Sequence, residues 1–431
     1  MSRETVLREQ EDFLFPCVAN YYEEPIVITE AKGSVVKSIE GNEYLDFFGG
    51  ILTVSLGHCQ EEITNAVTEQ MTKLGHVSTL YPTENQLTVA RQLAELTPGG
   101  LKKSFFTNSG TEADETAVLL ARIHTGNQEI IALRHGYSGR SQLSMNLTGH
   151  AGYRLAGSSI PNIKHGHSPY CYRCPFGSKY PACGMKCAED LEELILTETT
   201  GNIAGFLAEP IQGVGGFITP PDEYFEVAVG IIRKYGGVFI CDEVQTGFGR
   251  TGEKWFGIEH SGVEPEIMTM AKGIANGVPV GATIATEEVA HSFTGTSICT
   301  FGGNPVSMAA TEATLTVMAR EDVPGRSARL GGILREHLLE MQSKYKLIGD
   351  VRGRGLMQAI ELVEDRKTKV PAVKQTGRLM EEAKKRGLLI GRGGLYNNVI
   401  RLAPPMLTSE DEILEGCRLM DEAMAEVQRH A

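Results

Sequence analysis

The sequence lacks the features of a membrane-anchored or repetitive protein. No apolar run approaches the roughly 18 residues that a helix needs to cross a bilayer, and no low-complexity tract or repeat stands out. The first residues, Met1 to Asp12, do not show the basic-then-apolar pattern of a secretion signal. We therefore expect a globular protein of the cytoplasm with no membrane partner.

Positive charge is also scarce. Lysine and arginine total 41 against 54 acidic residues, which gives a formal net charge of -13. A broad nucleic-acid or anionic-membrane surface needs clustered basic residues, because such residues displace counterions. The composition therefore argues against nucleic-acid partners and indicates that any basic groups of functional importance act locally.

The number of cysteines does not indicate a disulfide framework. Nine cysteines, an odd number, fit reduced thiols in an intracellular protein. Four of them fall in a proline-containing, loop-like segment: Cys171, Cys174, Cys183 and Cys187. Four thiols match the ligand count of a structural zinc site or an iron–sulfur cluster. The alternative is an irregular loop packed by reduced thiols.

A length of 431 residues exceeds the size at which one hydrophobic core usually stops growing, so we expect two domains. We predict an N-terminal segment (1–60) that packs with a small C-terminal domain (316–431), and a large domain between them (61–315). Short apolar runs in the large domain alternate with helical patterns, which is typical of an α/β fold with a mostly parallel sheet covered by helices. These runs are 104–107, 130–133, 204–208, 237–241, 267–270 and 280–284.

Beyond residue 310 the pattern changes to longer amphipathic helices with short strands between them. This pattern predicts a smaller α+β unit. The predicted helices are 307–320, 327–345, 374–386 and 409–429, and the predicted strands include 355–360 and 399–402.

Five consecutive strand ends in the large domain are followed by polar or aromatic residues. They are Asn108–Thr111, His135–Tyr137, Glu209–Pro210, Asp242–Glu243 and Lys272–Gly273. Ligands of open α/β sheets bind beyond the carboxyl ends of the strands. These five segments are therefore expected to converge on one ligand.

Ser109 to Glu112 lead from a strand into a helical pattern. Ser-x-x-Glu is a capping-box signature, and taken alone we favour that interpretation. A glycine and two hydroxyls at a helix start also form an anion site, because backbone N–H groups and the helix dipole are free there.

Asp242 and Lys272 are charged residues in apolar surroundings. A carboxylate at the end of a buried strand is costly unless it is paired, so Asp242 either caps a turn or has a cationic partner. Lys272 follows an apolar strand, and burial would make its neutral amine available as a nucleophile for Schiff-base chemistry. Most lysines are solvated surface groups, but this one is predicted to share the sheet edge of Asp242.

A further motif, Gly247-Phe-Gly249-Arg-Thr-Gly252, matches the dinucleotide pattern G-x-G-x-x-G. The match does not directly follow a strand and does not open a helix. A single match of this kind is a weak signal, so we do not expect a dinucleotide site.

Several motifs, in their order and spacing, resemble those of class III pyridoxal-phosphate-dependent aminotransferases, and the resemblance runs from about Tyr44 to Pro404. They start at Ser109 (Ser-Gly-Thr-Glu-Ala), His135 (His-Gly-Tyr), Glu209 (Glu-Pro-Ile-Gln-Gly), Asp242 (Asp-Glu-Val-Gln-Thr-Gly-Phe-Gly-Arg), Thr269 (Thr-Met-Ala-Lys-Gly) and Thr300 (Thr-Phe-Gly-Gly-Asn-Pro). Within the family, the local sequences that begin at Leu45, Gly349 and Leu388 are similar to those of the alanine:glyoxylate aminotransferase 2 type. The related 4-aminobutyrate aminotransferases share the main motifs.

The resemblance implies fold type I, a homodimer with the active site at its interface, and pyridoxal 5'-phosphate bound as a Schiff base on Lys272. It implies that Asp242 pairs with the pyridine nitrogen and that Glu209 lies beside the ring. It also implies that Tyr137 and Val244 cover the two ring faces, with Gln245 near the phenolic oxygen. The implied phosphate ligands are Ser109, Gly110 and Thr111, with Thr300 from the neighbouring subunit.

The resemblance also implies two arginines that read substrate. Arg401 would clamp a carboxylate with a bidentate contact. Val214 stands where ω-amino acid enzymes carry a glutamate that masks this arginine. Arg140 matches an arginine for a distal carboxylate, although an exposed loop arginine is an equal alternative, and Ser138 replaces the usual histidine.

The implied activity is ping-pong transfer of an amino group from alanine or an ω-amino acid to glyoxylate, pyruvate or 2-oxoglutarate. The alternatives on the same fold are 4-aminobutyrate:2-oxoglutarate transamination, decarboxylation, phospho-elimination and racemisation, because one electron sink serves all of them. A binding protein without turnover is the alternative from another class, and intact Lys272 and Asp242 argue against it.

Overall fold

The computed structural model describes residues 1–155 and 159–430. Its strands are β1 Ile28–Lys32, β2 Val35–Ser38, β3 Glu43–Asp46, β4 Leu101–Thr107, β5 Ile130–Leu133, β6 Ile163–Gly166, β7 Gly205–Ala208, β8 Val238–Asp242, β9 Ile267–Met270, β10 Gly281–Thr286, β11 Ile348–Arg354, β12 Met357–Leu362, β13 Leu388–Leu389, β14 Gly391–Gly393 and β15 Val399–Leu402.

The helices form the layers around these strands. They are α1 Arg3–Phe13, α2 Gly49–Leu52, α3 Glu61–Lys73, α4 Glu84–Leu96, α5 Gly110–Thr125, α6 Gln142–Leu147, α7 Lys186–Glu198, α8 Tyr224–Lys234, α9 Glu287–Ala290, α10 Pro305–Arg320, α11 Val323–Lys344, α12 Val373–Lys385 and α13 Glu410–Arg429. Among the described residues, no helix is long and apolar enough to cross a membrane.

The central sheet has the strand order β4-β10-β9-β8-β7-β5-β6. Strands β6, β5, β7, β8 and β9 pair in parallel, whereas β10 runs antiparallel to both of its neighbours. Strands β5, β7, β8 and β9 are buried along their whole length, as expected for a sheet covered on both faces. The prediction of a mostly parallel sheet covered by helices is therefore confirmed.

Two smaller sheets complete the fold. One has the order β11-β12-β15-β14 and packs with α11 and α12, against which α13 packs in turn. The other has the order β1-β2-β3-β13, in which Leu388 and Leu389 pair in parallel with Leu45 and Asp46. The C-terminal α+β unit is present as predicted, and the chain near its beginning shares a sheet with it.

The segment with the dinucleotide-like pattern forms buried turns between β8 and β9 and opens no α-helix. The Arg250 side chain is fully buried there and donates hydrogen bonds to the carbonyl oxygens of Leu356 and Pro404. A Cβ at Gly252 would come within 2.8 Å of Ala328 Cα, so this glycine permits close packing against α11. The glycines and Arg250 of this segment therefore serve packing between the loop after β8, α11 and the C-terminal sheet.

Candidate active site

A cavity opens at the carboxyl ends of the parallel strands of the central sheet. It contains about 890 Å³ of empty space, including its open mouth. All five predicted segments contribute to its lining, and His135–Tyr137 does so through Tyr137. The lining residues are Thr53, Asn108, Ser109, Gly110, Thr111, Asp114, Tyr137, Ser138, Gly139, Arg140, Glu209, Asp242, Val244, Gln245, Ala271, Lys272 and Gly277 to Val280.

The N-terminus of α5 forms one end of the cavity. Ser109 is the N-cap, and its Oγ accepts the backbone N–H of Glu112 at 3.3 Å. The Glu112 carboxylate accepts the backbone N–H of Asn108 at 2.7 Å instead of that of Ser109, so Ser109 is confirmed as the N-cap but the reciprocal bond of a capping box lies one residue earlier. The backbone N–H groups of Gly110 and Thr111, in the first turn of α5, have no acceptor within the helix. Together with the helix dipole they can bind an anion.

Gly110 lets α5 approach the loop that follows β8 closely. A Cβ at this position would lie 3.2 Å from both Cγ atoms of Val244. A larger residue would therefore push the helix N-terminus away from Val244 and change the width of the cavity.

Asp242 is the last residue of β8 and is 3% exposed. Its Oδ1 accepts the backbone N–H of Val244 at 2.9 Å. Burial raises the pKa of Asp242, and this rise is opposed by the Val244 N–H and the nearby Lys272 charge. A buried carboxylate in this state can gain a strong partner from a cationic ligand.

Lys272 lies just after β9 and lines the same cavity. Its backbone has a left-handed φ of 47°, a strained conformation for a residue with a side chain. Burial lowers the pKa of the Lys272 amine, whereas Asp242 and Glu209 raise it. Its neutral, nucleophilic form is therefore more accessible than that of a surface lysine.

Glu209 connects two of the loops around the cavity. Its Oε1 accepts the backbone N–H of Tyr137 at 3.0 Å, and its Oε2 accepts that of Gly213 at 2.7 Å. Burial and the charge of Asp242 raise the pKa of Glu209, and the two N–H donors oppose that rise. The carboxyl group therefore fixes Tyr137 at the cavity wall.

Gln245 has a buried Oε1 that accepts no hydrogen bond within the part of the chain that the structure describes. A buried polar atom without a partner costs free energy. Because Gln245 lines the cavity, a ligand with a donor at that position would satisfy it.

Arg401 lies on β15, is 5% exposed and is not among the lining residues of the cavity. Its guanidinium donates to the carbonyl oxygen of Arg392 and, at 3.3 Å, to that of Gly213. It lies 4.9 Å from the ring centre of Phe48. Its charge helps to lower the pKa of Lys272, so the two cationic groups interact across the site.

Of the other residues predicted to bind substrate or cofactor, one lies at the cavity and the others lie outside its lining. Arg140 is exposed at the cavity, and its backbone N–H donates to Thr111 Oγ1 at 3.2 Å. Val214 is buried, and its carbonyl oxygen accepts the Gly394 N–H. Thr300 is exposed and does not line the cavity of its own chain.

Sequence reasoning missed Asp114 and Thr53, which both line the cavity. Asp114 is 1% exposed although it lies inside α5, where an aspartate usually faces solvent. Thr53 follows a segment in which Gly50, Ile51 and Leu52 have left-handed φ angles. The glycines preceding Thr53 are the signal that could have indicated this turn.

The structure does not support a metal site at the four-cysteine loop. Cys171, Cys174, Cys183 and Cys187 line one small cavity and form no disulfides. No group of three or more histidine, cysteine or acidic side chains among residues 1–155 and 159–430 is arranged to hold a metal ion. Burial raises the pKa of Cys171 and raises that of Cys187 to about 12, which favours neutral thiols.

Comparisons with known proteins agree with this geometry. The family model for aminotransferase class III matches residues 17–424. An alanine–glyoxylate aminotransferase 2 homolog 2, mitochondrial, of Arabidopsis thaliana is 42% identical, with 99% of this chain and 88% of the relative covered. A leucine/methionine racemase of Thermococcus litoralis is 34% identical, with 99% and 97% covered.

Among solved structures, an aminotransferase of Bacillus anthracis superposes with a TM-score of 0.92 at 32% identity, covering 99% of this chain and 100% of that one. The match of the family model extends over nearly the whole chain and includes every strand end that forms the cavity. The chain belongs to the class III aminotransferases, which are pyridoxal-phosphate-dependent enzymes of fold type I.

Proposed function

We propose that this aminotransferase takes an amino group from alanine or an ω-amino acid and passes it to glyoxylate, pyruvate or 2-oxoglutarate. The observation that carries the proposal is the position of Arg401, a buried guanidinium that donates to the Gly213 carbonyl, in the loop that Glu209 joins to the cavity wall. A substrate carboxylate bound at Arg401 would place its neighbouring carbon towards the Lys272 amine. The similarity to the Arabidopsis alanine–glyoxylate relative supports the same substrate class.

The residues of the cavity fit the cofactor. The N-terminus of α5, with Ser109, Gly110 and Thr111, would hold the phosphate. Asp242 would pair with the protonated ring nitrogen, and the unpartnered Oε1 of Gln245 would face the ring hydroxyl. One cavity therefore has a site for the phosphate dianion at the N-terminus of α5 and a site for the protonated ring nitrogen at Asp242.

The ring faces and the covalent anchor are assigned to the remaining residues. Tyr137 and Val244 would cover opposite faces of the ring, and Lys272 would hold the cofactor through Nζ. Glu209 would lie beside the ring while it holds Tyr137 in place.

When bound, pyridoxal phosphate supplies an electron sink that stabilises negative charge on the reacting carbon of the substrate. In the chemistry that we propose, Asp242 keeps the nitrogen end of the site anionic. The Lys272 Nζ, once free as a neutral amine, removes a proton from the substrate carbon and later returns one. Arg401 binds and orients the carboxylate, which lowers the entropic cost of reaching that geometry.

The uncharged residue at position 214 separates the two transaminase alternatives. Val214 is a buried, uncharged residue of the loop whose Gly213 carbonyl accepts from Arg401. An enzyme specific for 4-aminobutyrate needs to neutralise this arginine while an ω-amine reacts, and Val214 cannot do so. This favours substrates with a carboxylate next to the reacting carbon over 4-aminobutyrate.

A matrix of donors and acceptors tests the proposal directly. Alanine, 3-aminoisobutyrate and 4-aminobutyrate would each be paired with glyoxylate, pyruvate and 2-oxoglutarate, and half-reactions would be followed by cofactor absorbance. We expect the highest kcat/KM for alanine with glyoxylate. Turnover of 4-aminobutyrate alone, or racemisation or phosphate release without amino transfer, would establish one of the alternative activities instead.

We also propose a homodimer in which Thr300 reaches the phosphate end of the neighbouring subunit. Thr300 is exposed and lies between the exposed apolar residues Ile298 and Phe301. Leu80 and Tyr81 are similarly exposed, at 69% and 65%. Exposed apolar residues of this size are typical of a surface that is covered by another chain.

For the four-cysteine loop we propose packed, reduced thiols instead of zinc or an iron–sulfur cluster. Elemental analysis of protein purified without added metal would decide between them, together with thiol counting under denaturing conditions. We expect less than a tenth of an equivalent of zinc or iron per chain. One equivalent of either metal, lost together with folded structure on chelation, would establish the metal site.

The cytoplasmic location stays a prediction. The name of the Arabidopsis relative includes the word mitochondrial, and that location belongs to that protein. Fractionation of the source cells, followed by immunodetection of this chain, would check the prediction.

A further inference from the structure

Asp114 is a third buried carboxylate at the cavity, and the proposed function gives it no role. It lies in the second turn of α5 and is 1% exposed. Its Oδ1 accepts the Thr269 hydroxyl at 2.7 Å. A carboxylate that is removed from water and receives a single neutral donor of this kind is costly to ionise.

Thr269 brings Asp114 next to the nitrogen end of the site. In the parallel pairing of β8 with β9, Thr269 is the register partner of Asp242. Asp114 packs onto this pair of strands from α5, and both carboxylates line the same cavity. The other charged groups that act on Asp114 are Glu209 and Lys272.

Two neighbouring buried carboxylates cannot both be ionised at low cost, so they titrate as a pair. Burial and, next, the charge of Asp242 raise the pKa of Asp114, while the Thr269 hydroxyl and Lys272 lower it. Asp242 receives a backbone N–H, and a cationic ring nitrogen would stabilise its charge further. When the pair holds one proton, Asp242 is therefore the ionised carboxylate and Asp114 is the protonated one.

We propose that Asp114 and Asp242 act as one carboxyl pair that holds a single proton, carried by Asp114, at neutral pH. The pair then presents one negative charge to the ring nitrogen, and a second one only in alkaline solution. Asp114 is a positioning residue, because it sets the charge at the nitrogen through Asp242. The proposal rests on the assignment of Asp242 to the ring nitrogen.

The first test looks for the proton itself. The infrared spectrum of the holoenzyme Asp114→Asn would be subtracted from that of the wild-type holoenzyme at neutral pH. We expect a carbonyl stretch of a protonated carboxylic acid in the difference, lost when the pH is raised. Its absence at neutral pH would overturn the proposal, because Asp114 would then be ionised.

The second test follows the visible absorbance of the bound cofactor against pH. Wild-type holoenzyme should show an alkaline step that Asp114→Asn lacks, because an amide has no proton to lose in this range. Thr269→Val removes the hydroxyl that stabilises the charged form of Asp114, so its step should move upward by about one pH unit. An unchanged step in both variants would overturn the proposal.

Two controls keep the outcome interpretable. Glu129→Gln removes another buried carboxylate that accepts hydrogen bonds from Thr200, at the amino end of β5 and away from the cavity, and should titrate like wild type. If Asp114→Asn binds no cofactor, the direction of the Thr269→Val shift decides. Asp242→Asn with normal cofactor binding and turnover would remove the role of Asp242 instead, a result that is distinct from failure of the Asp114 tests.

Discussion

At the scale of single residues, the site consists of charged groups held in a buried environment by backbone donors. Asp242 and Glu209 each accept backbone N–H groups, so their positions are set by the loops that follow β5, β7 and β8. Lys272 is placed differently, because its left-handed backbone aims the side chain into the cavity. The carboxylates are held by hydrogen bonds, whereas the amine is positioned by its backbone conformation.

Replacing Lys272 by alanine should abolish the covalent attachment of the cofactor. Among the described residues Lys272 is the lysine that lines the cavity, so no other amine can take its place. Borohydride reduction followed by peptide mass spectrometry should find the cofactor on Lys272 in wild type and on no peptide in Lys272→Ala. The exposed Lys254→Ala is the control and should behave as wild type. Near-normal transaminase activity in Lys272→Ala would contradict the assignment.

Asp242→Ala should bind the cofactor weakly and lose turnover by orders of magnitude. Without the carboxylate the ring nitrogen loses its proton, and an uncharged ring stabilises the developing negative charge poorly. Equilibrium dialysis would give the cofactor affinity, and stopped-flow absorbance would give the single-turnover rate at saturating cofactor. A single-turnover rate equal to that of wild type would remove Asp242 from this role.

The two arginines should differ in which substrates depend on them. Arg401→Ala should reduce kcat/KM for alanine, glyoxylate and pyruvate alike, by about 2 to 5 kcal/mol of transition-state binding. Arg140→Ala should affect 2-oxoglutarate and spare alanine with glyoxylate, because Arg140 is exposed at the cavity and could meet a distal carboxylate. Steady-state kinetics with one-carboxylate and two-carboxylate acceptors would measure the difference. Equal losses in Arg140→Ala would show that this residue does not read substrate.

At the scale of elements, a buried network connects the four-cysteine loop to the C-terminal sheet. The Glu361 carboxylate on β12 accepts from Tyr170, Arg173 and Arg352. Arg352 also donates to the carbonyl oxygen of Gly216, in the loop whose Gly213 accepts from Arg401. The network therefore joins the cysteine loop, the C-terminal sheet and the wall of the site.

Glu361→Gln should destabilise the protein strongly. Burial alone would raise the pKa of Glu361, but Arg352, Tyr170 and Arg173 together lower it, so the carboxylate is charged in the folded state. Removing that charge leaves buried guanidinium groups undercompensated, at a cost of about 3 to 5 kcal/mol. Urea unfolding would measure the change in the free energy of unfolding. Glu62→Gln, which breaks an exposed pair with Arg320, should have little effect, and equal effects of both substitutions would contradict the argument.

Most elements around the site could be predicted, because buried parallel strands are continuous apolar runs. Strand β5 coincides with its predicted range, and β8 differs by one residue at each end. Strand β4 was predicted to begin at Ser104 because Lys102 and Lys103 are exposed on this edge strand and interrupt the apolar run. Strand β6, with the sequence Ile-Lys-His-Gly, was missed for a similar reason.

Two properties of the site were beyond local sequence patterns. Nothing in the run 280–284 indicates that β10 lies antiparallel between β4 and β9, since strand direction depends on pairing across the sheet. Asp114 looks like a solvated helix residue, and only packing of α5 against β8 and β9 buries it. The strand ends, in contrast, could be predicted, because each one is marked by a local apolar run followed by polar residues in the same segment of the chain.

At the scale of the whole molecule, the proposed dimer predicts that two inactive variants can complement each other in a mixed dimer. If each site combines Lys272 of one chain with Thr300 of the other, two inactive variants should restore each other. Lys272→Ala lacks the amine, and Thr300→Glu would place a negative charge beside the cofactor phosphate. A mixed dimer then contains one doubly altered site and one intact site.

Unfolding and refolding an equimolar mixture of Lys272→Ala and Thr300→Glu should therefore recover roughly a quarter of wild-type activity per site, because half of the dimers are mixed and each has one intact site. Light scattering would confirm that the mixture is dimeric, and each variant refolded alone gives the background. Thr300→Ser, which keeps the hydroxyl, should stay active without a partner variant. If the mixture stays as inactive as its components while remaining dimeric, Thr300 acts within its own chain or not at all. That outcome would conflict with its exposure on the monomer and its absence from the lining of its own cavity.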